Sequence, residues 1–195
     1  ERNHLFLSQD AKQFLDISAI SGLDSDCDGR AFAWLDYDRD GWQDIAVVNA
    51  NAPLAVLYRN ELGANRATEE QGQMIAVRFE GGNETNTSNS EFSCRDGYGA
   101  MVTVGLGDKT LVREHRCGEG FAAQNSATMI LGVGSHEQVD FVRVEWPSGR
   151  VQETRDIAAG TLLTFSEKAA DQSDQGIKQE PYIRSLSIPP HNNVA

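Results

Sequence analysis

Apolar residues along this chain come in short runs bounded by Gly, Asn or Asp: AFAWL, DIAVVN, LAVLY, MIAVRFE, AMVTVG, TLVREH, TMILGV, VDFVRVEW and TLLTFSE. Runs this brief, rich in β-branched and aromatic residues and closed by turn formers, predict strands. In VDFVRVEW, Val139, Phe141 and Arg143 point one way while Val142, Val144 and Trp146 point the other, the alternation of a half-buried strand. Helical periodicity is weak, and only QDAKQFLDISA near the start offers a helical turn. The pattern predicts an all-β protein.

The runs group into three parts. Residues 1–70 hold an Asp-rich loop and two or three strands, and residues 71–168 hold the remaining strands. From 169 to 195 the text turns polar, as in ADQSDQGIKQEP, which reads as a linker. It ends in YIRSLSIPPHNNVA, where Tyr182, Leu186 and Ile188 share a face. Two readings of that end stay open: a docking strand on a linker, or a frayed tail on its own domain.

Charge narrows the partners. The net charge is −12, with −7 in residues 1–70 and −5 in residues 71–195, which argues against nucleic acid. No apolar run approaches the roughly 18 residues of a membrane span, so no membrane insertion is expected. Glu1 stands where a new chain would have Met, and no signal-peptide pattern follows; this reads as a trimmed product or a piece of something longer.

The acidic excess concentrates in LDSDCDGRAFAWLDYDRDGWQD, residues 23–44. With Asp36 as position one, Asp38 and Asp40 fall at three and five, Gly41 at six, Trp42 at seven and Asp44 at nine. Calcium takes roughly six to eight oxygens, and alternate Asp residues in a tight turn supply them, with the Trp42 carbonyl adding one. An EF-hand would carry a bidentate Glu at position twelve, where this chain has Val47, and would need flanking helices. The prediction is a nine-residue calcium loop between two strands. Asp24, Asp26 and Asp28 open in the same way, but position nine there is Phe32 and position twelve Leu35, so a solvated acidic turn is favoured over a second metal site.

The chain has three cysteines and no Cys-x-x-Cys, which excludes the usual zinc spacing. Cys94 and Cys117 each open a Gly-containing turn beside a strand, and a disulfide between them is favoured over two buried thiols. Cys27 is left over.

With those residues in view, the stretch FLDISAISGLDSDCDGRAFAWLDYDRDGWQDIAVVNANAPLAVLYRN resembles an FG-GAP/VCBS repeat of the kind found in β-propellers. MIAVRFEG, CRDGYGAMVTV, VREHRCGEGFAAQNSATMILGVG, VDFVRVEWPSGRVQE and TLLTFSE resemble the successive blocks of an ASPIC/UnbV domain, with WPSG and GEGFAAQNS the most specific. The family occurs in secreted and surface proteins, including cartilage acidic proteins. The resemblance implies an Ig-like or jelly-roll-like β-sandwich with one propeller-blade-like repeat packed on it, an extracellular or cell-surface location, and no catalytic chemistry. It also supports Asp36, Asp38, Asp40 and Asp44 as ligands. The chain departs from the family in having a single repeat, which leaves strand edges open. It further inserts GGNETNTSNSEFS, whose Asn83 and Asn86 head two N-glycosylation sequons.

No catalytic constellation stands out. His4, His115, His136 and His191 lack metalloprotease spacing, no nucleophile elbow or phosphate loop occurs, and Ser135 beside His136 reads as a strand connection. Glu114 and Glu119 are not marked as a buried pair, and Trp34, Trp42 and Trp146 read as packing. The expectation is a non-catalytic, calcium-binding extracellular structural protein that self-assembles into a homo-oligomer or filament through its terminal segments. The alternative is a calcium-dependent adhesion or glycan-binding module.

Overall fold

The computed structural model describes residues 2–9, 12–62, 72–85, 87, 89–171 and 175–182. The chain divides into two compact units: Glu1–Leu35 with Gln43–Asn60 and Cys117–Ser126, and Asp36–Trp42 with Glu61–Arg116 and Ala127–Ala195. Both are built almost entirely of strands.

In the first unit, β1 (Phe6–Gln9) and β2 (Gln13–Asp16) form an antiparallel hairpin. The helical turn expected within QDAKQFLDISA is displaced: Gln13–Asp16 of that stretch is strand, and the turn is α1 (Ser18–Ser21). Asp16 sets that boundary: its carboxylate accepts the Ser18 backbone N–H at 3.0 Å and also the Ser18 hydroxyl. These bonds hold the Asp16 carboxyl below the ordinary carboxylate range. Next, β3 (Gly29–Leu35), β4 (Asp44–Asn49) and β5 (Ala55–Tyr58) make an antiparallel sheet in the order β3-β4-β5. The outer edge of β3 is met by the segment 117–126: Asn125 Oδ1 accepts the Trp34 N–H at 3.1 Å, and the Ser126 N–H donates to the Trp34 carbonyl at 2.9 Å.

The second unit holds β6 (Gln73–Glu80), β7 (Met101–Leu106), β8 (Lys109–Glu114), β9 (Met129–Gly134), β10 (Gln138–Glu145), β11 (Val151–Ala158), β12 (Thr161–Ser166) and β13 (Ile177–Pro181). They form two four-stranded sheets, β11-β10-β7-β8 and β13-β12-β6-β9, in which only the β6–β12 pair is parallel. Their inner faces share one core, from Ile75, Val77 and Phe79 on β6 through Val102 and Val104 on β7 to Leu163 and Phe165 on β12. This is a β-sandwich.

The alternation read in VDFVRVEW holds for Val142, Val144 and Trp146, all buried, and fails at Val139, which is buried with its partner Ile157. Asp156 beside that pair takes a φ of 58, a local departure from extended backbone. β11 and β13 escaped the pattern because their outward positions are polar. Residues 177–181, which composition reads as linker, pair with β12 from Thr161↔Pro181 to Phe165↔Ile177. The segment 183–195, with the proposed docking strand, lies outside the described residues.

The units differ sharply in core. The sandwich cluster contains fifteen buried residues, whereas Val47 is the one buried apolar residue described in the first unit. Each fully buried Val, Leu, Ile or Phe contributes roughly 1.5–3 kcal/mol, so the sandwich carries the stability. In the first unit Phe6, Phe14, Ile20, Val48, Leu54 and Leu57 remain exposed.

One carboxylate fastens the sandwich end. Glu167, in a 3-10 turn just after β12, is fully buried. It accepts the Gly82 N–H at 2.8 Å, the Ser93 N–H at 2.8 Å, the Ser93 hydroxyl at 2.9 Å and the Ser148 hydroxyl at 2.5 Å. Ser148 belongs to WPSG, while Gly82 and Ser93 bracket the insertion. Gly81 has to be glycine, since a Cβ there would lie 1.8 Å from the Cys94 carbonyl oxygen. Beside this, Trp146 Nε1 donates to Gln152 at 2.6 Å, and the Gln152 amide donates to the Ser166 and Gln175 carbonyls. Glu167→Gln turns an amide N–H toward donors and is expected to cost roughly 3 kcal/mol in chemical denaturation; a loss below about 1 kcal/mol would remove Glu167 from this role.

His115 is buried between two rings, 4.3 Å from Phe79 and 5.0 Å from Tyr98, and its Nε2–H donates to the Asp96 carbonyl at 3.1 Å. Burial lowers its pKa, opposed by that carbonyl and by the Asp96 carboxylate. The unfolded chain therefore binds the proton more readily, and the contribution of neutral His115 is complete above its ordinary pKa of about 6.5 and is lost as pH falls from there through the lowered folded value. Urea midpoints are expected to fall between pH 7.5 and pH 5.5, and less steeply in His115→Phe; an unchanged slope in that variant would assign the effect elsewhere.

Candidate metal centre

The loop that follows β3 is tied by its own carboxylates. Asp36 Oδ2 accepts the Gly41 N–H at 2.9 Å, and Asp36 Oδ1 accepts the Asp40 N–H at 3.2 Å. Asp38 Oδ1 also accepts the Asp40 N–H, at 3.3 Å, and Asp40 Oδ1 accepts the Trp42 N–H at 2.9 Å. Such Asx turns are what alternate Asp residues favour. They need a tight backbone, which Gly41 supplies with a φ of 90 and Arg39 with a φ of 59. Arg39 takes the left-handed region at a steric cost of roughly 1–2 kcal/mol.

As a result, one carboxylate oxygen from each of Asp36, Asp38 and Asp40 lies within 4.8 Å of the others, and Asp38 is only 4% exposed. Calcium binds oxygen at roughly 2.3–2.6 Å, so ligands on opposite sides of one ion stand up to about 5 Å apart. The donor set is hard oxygen alone. Both the span and the chemistry fit calcium better than a thiol- or imidazole-seeking metal.

Of the other residues predicted from spacing, Trp42 lies in the same loop, its N–H bonded to Asp40. Asp44 begins β4 in the other unit; it is 1% exposed and its carboxylate accepts the Asn60 N–H at 2.8 Å. Its assignment as a ligand rests on spacing alone. Asp24, Asp26 and Asp28 are not brought together among the described residues. Asp24 pairs with Arg2 at 3.0 Å and Asp28 with Arg30 at 2.5 Å.

The expected disulfide is not formed: Cys27, Cys94 and Cys117 are free, the last two exposed. Cys94 stays in the second unit, its Sγ 3.9 Å from the Tyr98 carbonyl oxygen, while Cys117 opens the segment that folds with the first. A Gly turn beside each cysteine says where the chain bends, not whether the Cβ vectors meet. Asn83 closes the insertion loop: its Nδ2 donates to the Asn89 and Phe92 carbonyls at 2.8 and 2.6 Å, and its Oδ1 accepts the Asn89 N–H at 2.7 Å. A glycan on Nδ2 would displace one of those donors. Asn86 lies outside the described residues.

Sequence reasoning missed one neighbour of the loop. Tyr182 donates its hydroxyl to the Asp36 carboxylate, and the Arg39 guanidinium stands 4.8 Å over the Tyr182 ring. Burial first, then the charge and hydrogen bond of Asp36, raise the Tyr182 pKa. The sole signal was an aromatic residue in a polar stretch. The first unit has a separate cavity of about 240 Å³, lined by His4, Leu23, Phe32, Trp34, Ile45 and Val47 among others, with Phe32 and Trp34 edge to face at 5.7 Å.

Residues 90–172 match the family model described as ASPIC and UnbV, so this part of the chain carries an ASPIC/UnbV domain. Both GEGFAAQNS and WPSG lie inside the match. No curated protein matches the chain. A solved structure of a candidate cell adhesion protein from Bacteroides uniformis is similar at 10% identity and a TM-score of 0.27, covering 81% of this chain and 92% of that one. So faint a likeness bears on neither fold nor role.

Proposed function

We propose that this chain is a calcium-binding, non-catalytic structural protein of the cell exterior that associates with further copies of itself. The observation that carries the reading is the convergence of Asp36, Asp38 and Asp40 within 4.8 Å. Their carboxylates would hold the ion together with the Trp42 carbonyl, and calcium would supply charge neutralisation and a rigid loop. The Asp loop between two antiparallel strands supports reading the first part as an FG-GAP/VCBS-type repeat. Association is supported by the first unit's sparse core and its exposed Phe6, Phe14, Ile20 and Leu57. A second reading, a calcium-dependent adhesion or glycan-binding module, is favoured by the cavity beside Phe32 and Trp34.

Calorimetric titration is expected to give one calcium site with a dissociation constant on the order of 10⁻⁴ M, in the range of extracellular modules. Asp38→Asn is expected to weaken it at least about tenfold. In chelator the same variant is expected to be as stable as the parent or more so, because one like charge is gone. Sedimentation of the titrated sample then separates the readings: assemblies support the structural protein, and a 21.4 kDa monomer supports the binding module. Absence of calcium binding would overturn both.

A further inference from the structure

β13 ends at Pro181, and the next residue, Tyr182, is 2% exposed. Its N–H donates to the Gly160 carbonyl at 2.8 Å. Its ring joins Met74, Ala76 and Leu162, with Ile130 against them, on the sheet face opposite the main core. The end of the strand is thus plugged into a small apolar cluster of its own, and the loop of aspartates meets it there. The hydroxyl donates to Asp36. Arg39 lies over the ring, its Nε buried and without a hydrogen bond among the described residues.

We infer that Tyr182 is a latch that couples the Asp36–Trp42 loop to the C-terminal strand, so that ion binding in the loop and docking of β13 reinforce each other. The inference rests on the reading of that loop as the seat of calcium. A phenol is suited to the task. It orients Asp36 by donating to it and brings no positive charge to compete with the ion. A cation in the same place would replace calcium rather than prepare for it. Because coupling is reciprocal, whatever the latch adds to ion affinity the ion adds to strand docking. The ion would therefore govern how long residues 177–182 stay paired along β12.

Hydrogen exchange of the Ile177–Tyr182 segment, with calcium and with chelator, alongside calorimetry, tests this in the parent and in Tyr182→Phe. Calcium is expected to slow exchange in this segment of the parent. Tyr182→Phe is expected to bind calcium about tenfold more weakly and to lose that protection, while β6 and β9 exchange as before in chelator. Calcium binding by the parent that leaves the segment's exchange unchanged would overturn the latch and leave the calcium reading standing. So would a Tyr182→Phe variant with full affinity. A parent that binds no calcium would overturn both. If Tyr182→Phe proved unfolded, the parent's two exchange profiles decide alone.

Discussion

A carboxylate buried away from water survives only when hydrogen-bond donors surround it, and Glu167 is surrounded by four groups from three places in the chain. The Gly82 and Ser93 donors stand at the two ends of the insertion, and Ser148 in the turn between β10 and β11. Glu167 itself directly follows β12. Both sheets of the sandwich are thereby closed at one end by a single side chain, and the thirteen-residue insertion of residues 81–93 is pinned at its base, so its length does not disturb the core. Ion pairing would have been weaker here, because each added charge brings its own desolvation penalty. Backbone N–H and hydroxyl donors bring less.

The Asp36–Asp40 loop is the opposite case. Its carboxylates are donated to by N–H groups of the same short segment and by Tyr182, yet three like charges still stand within 4.8 Å. Each pair at that separation repels by about 1 kcal/mol in water and about 3 kcal/mol at an effective dielectric near 20. Left-handed backbone at Arg39 adds to that cost. A divalent cation reverses the sign of the account, and this difference between the two carboxylate sites is the ground for the functional reading.

Sequence pattern disclosed the sandwich strands whose inward residues are branched and whose outward residues are polar, and it disclosed the Asp loop because ligand spacing is local. It missed β1 and β2, and also β11 and β13, whose polar faces outweigh Ile157 and Ile177, and it misplaced the early helical turn, which Asp16 and its serine partner confine to residues 18–21. Pairings across long separations were out of reach. Tyr182 lies far from Asp36 in sequence, Glu167 is an unremarkable acid after a strand, and the cysteines gave position without direction. The ASPIC/UnbV resemblance located blocks, yet GEGFAAQNS turned out to fold with the first unit through Asn125 and Ser126.

Calcium binding by the Asp36–Trp42 loop, as proposed, is open to direct measurement. Terbium, which occupies calcium sites and is excited through a nearby indole, reports on this directly because Trp42 belongs to the loop. Sensitised terbium emission is expected, displaced by calcium and abolished by Trp42→Phe, while Trp34→Phe leaves it intact. Emission that survives Trp42→Phe, or none at all, would contradict the proposal.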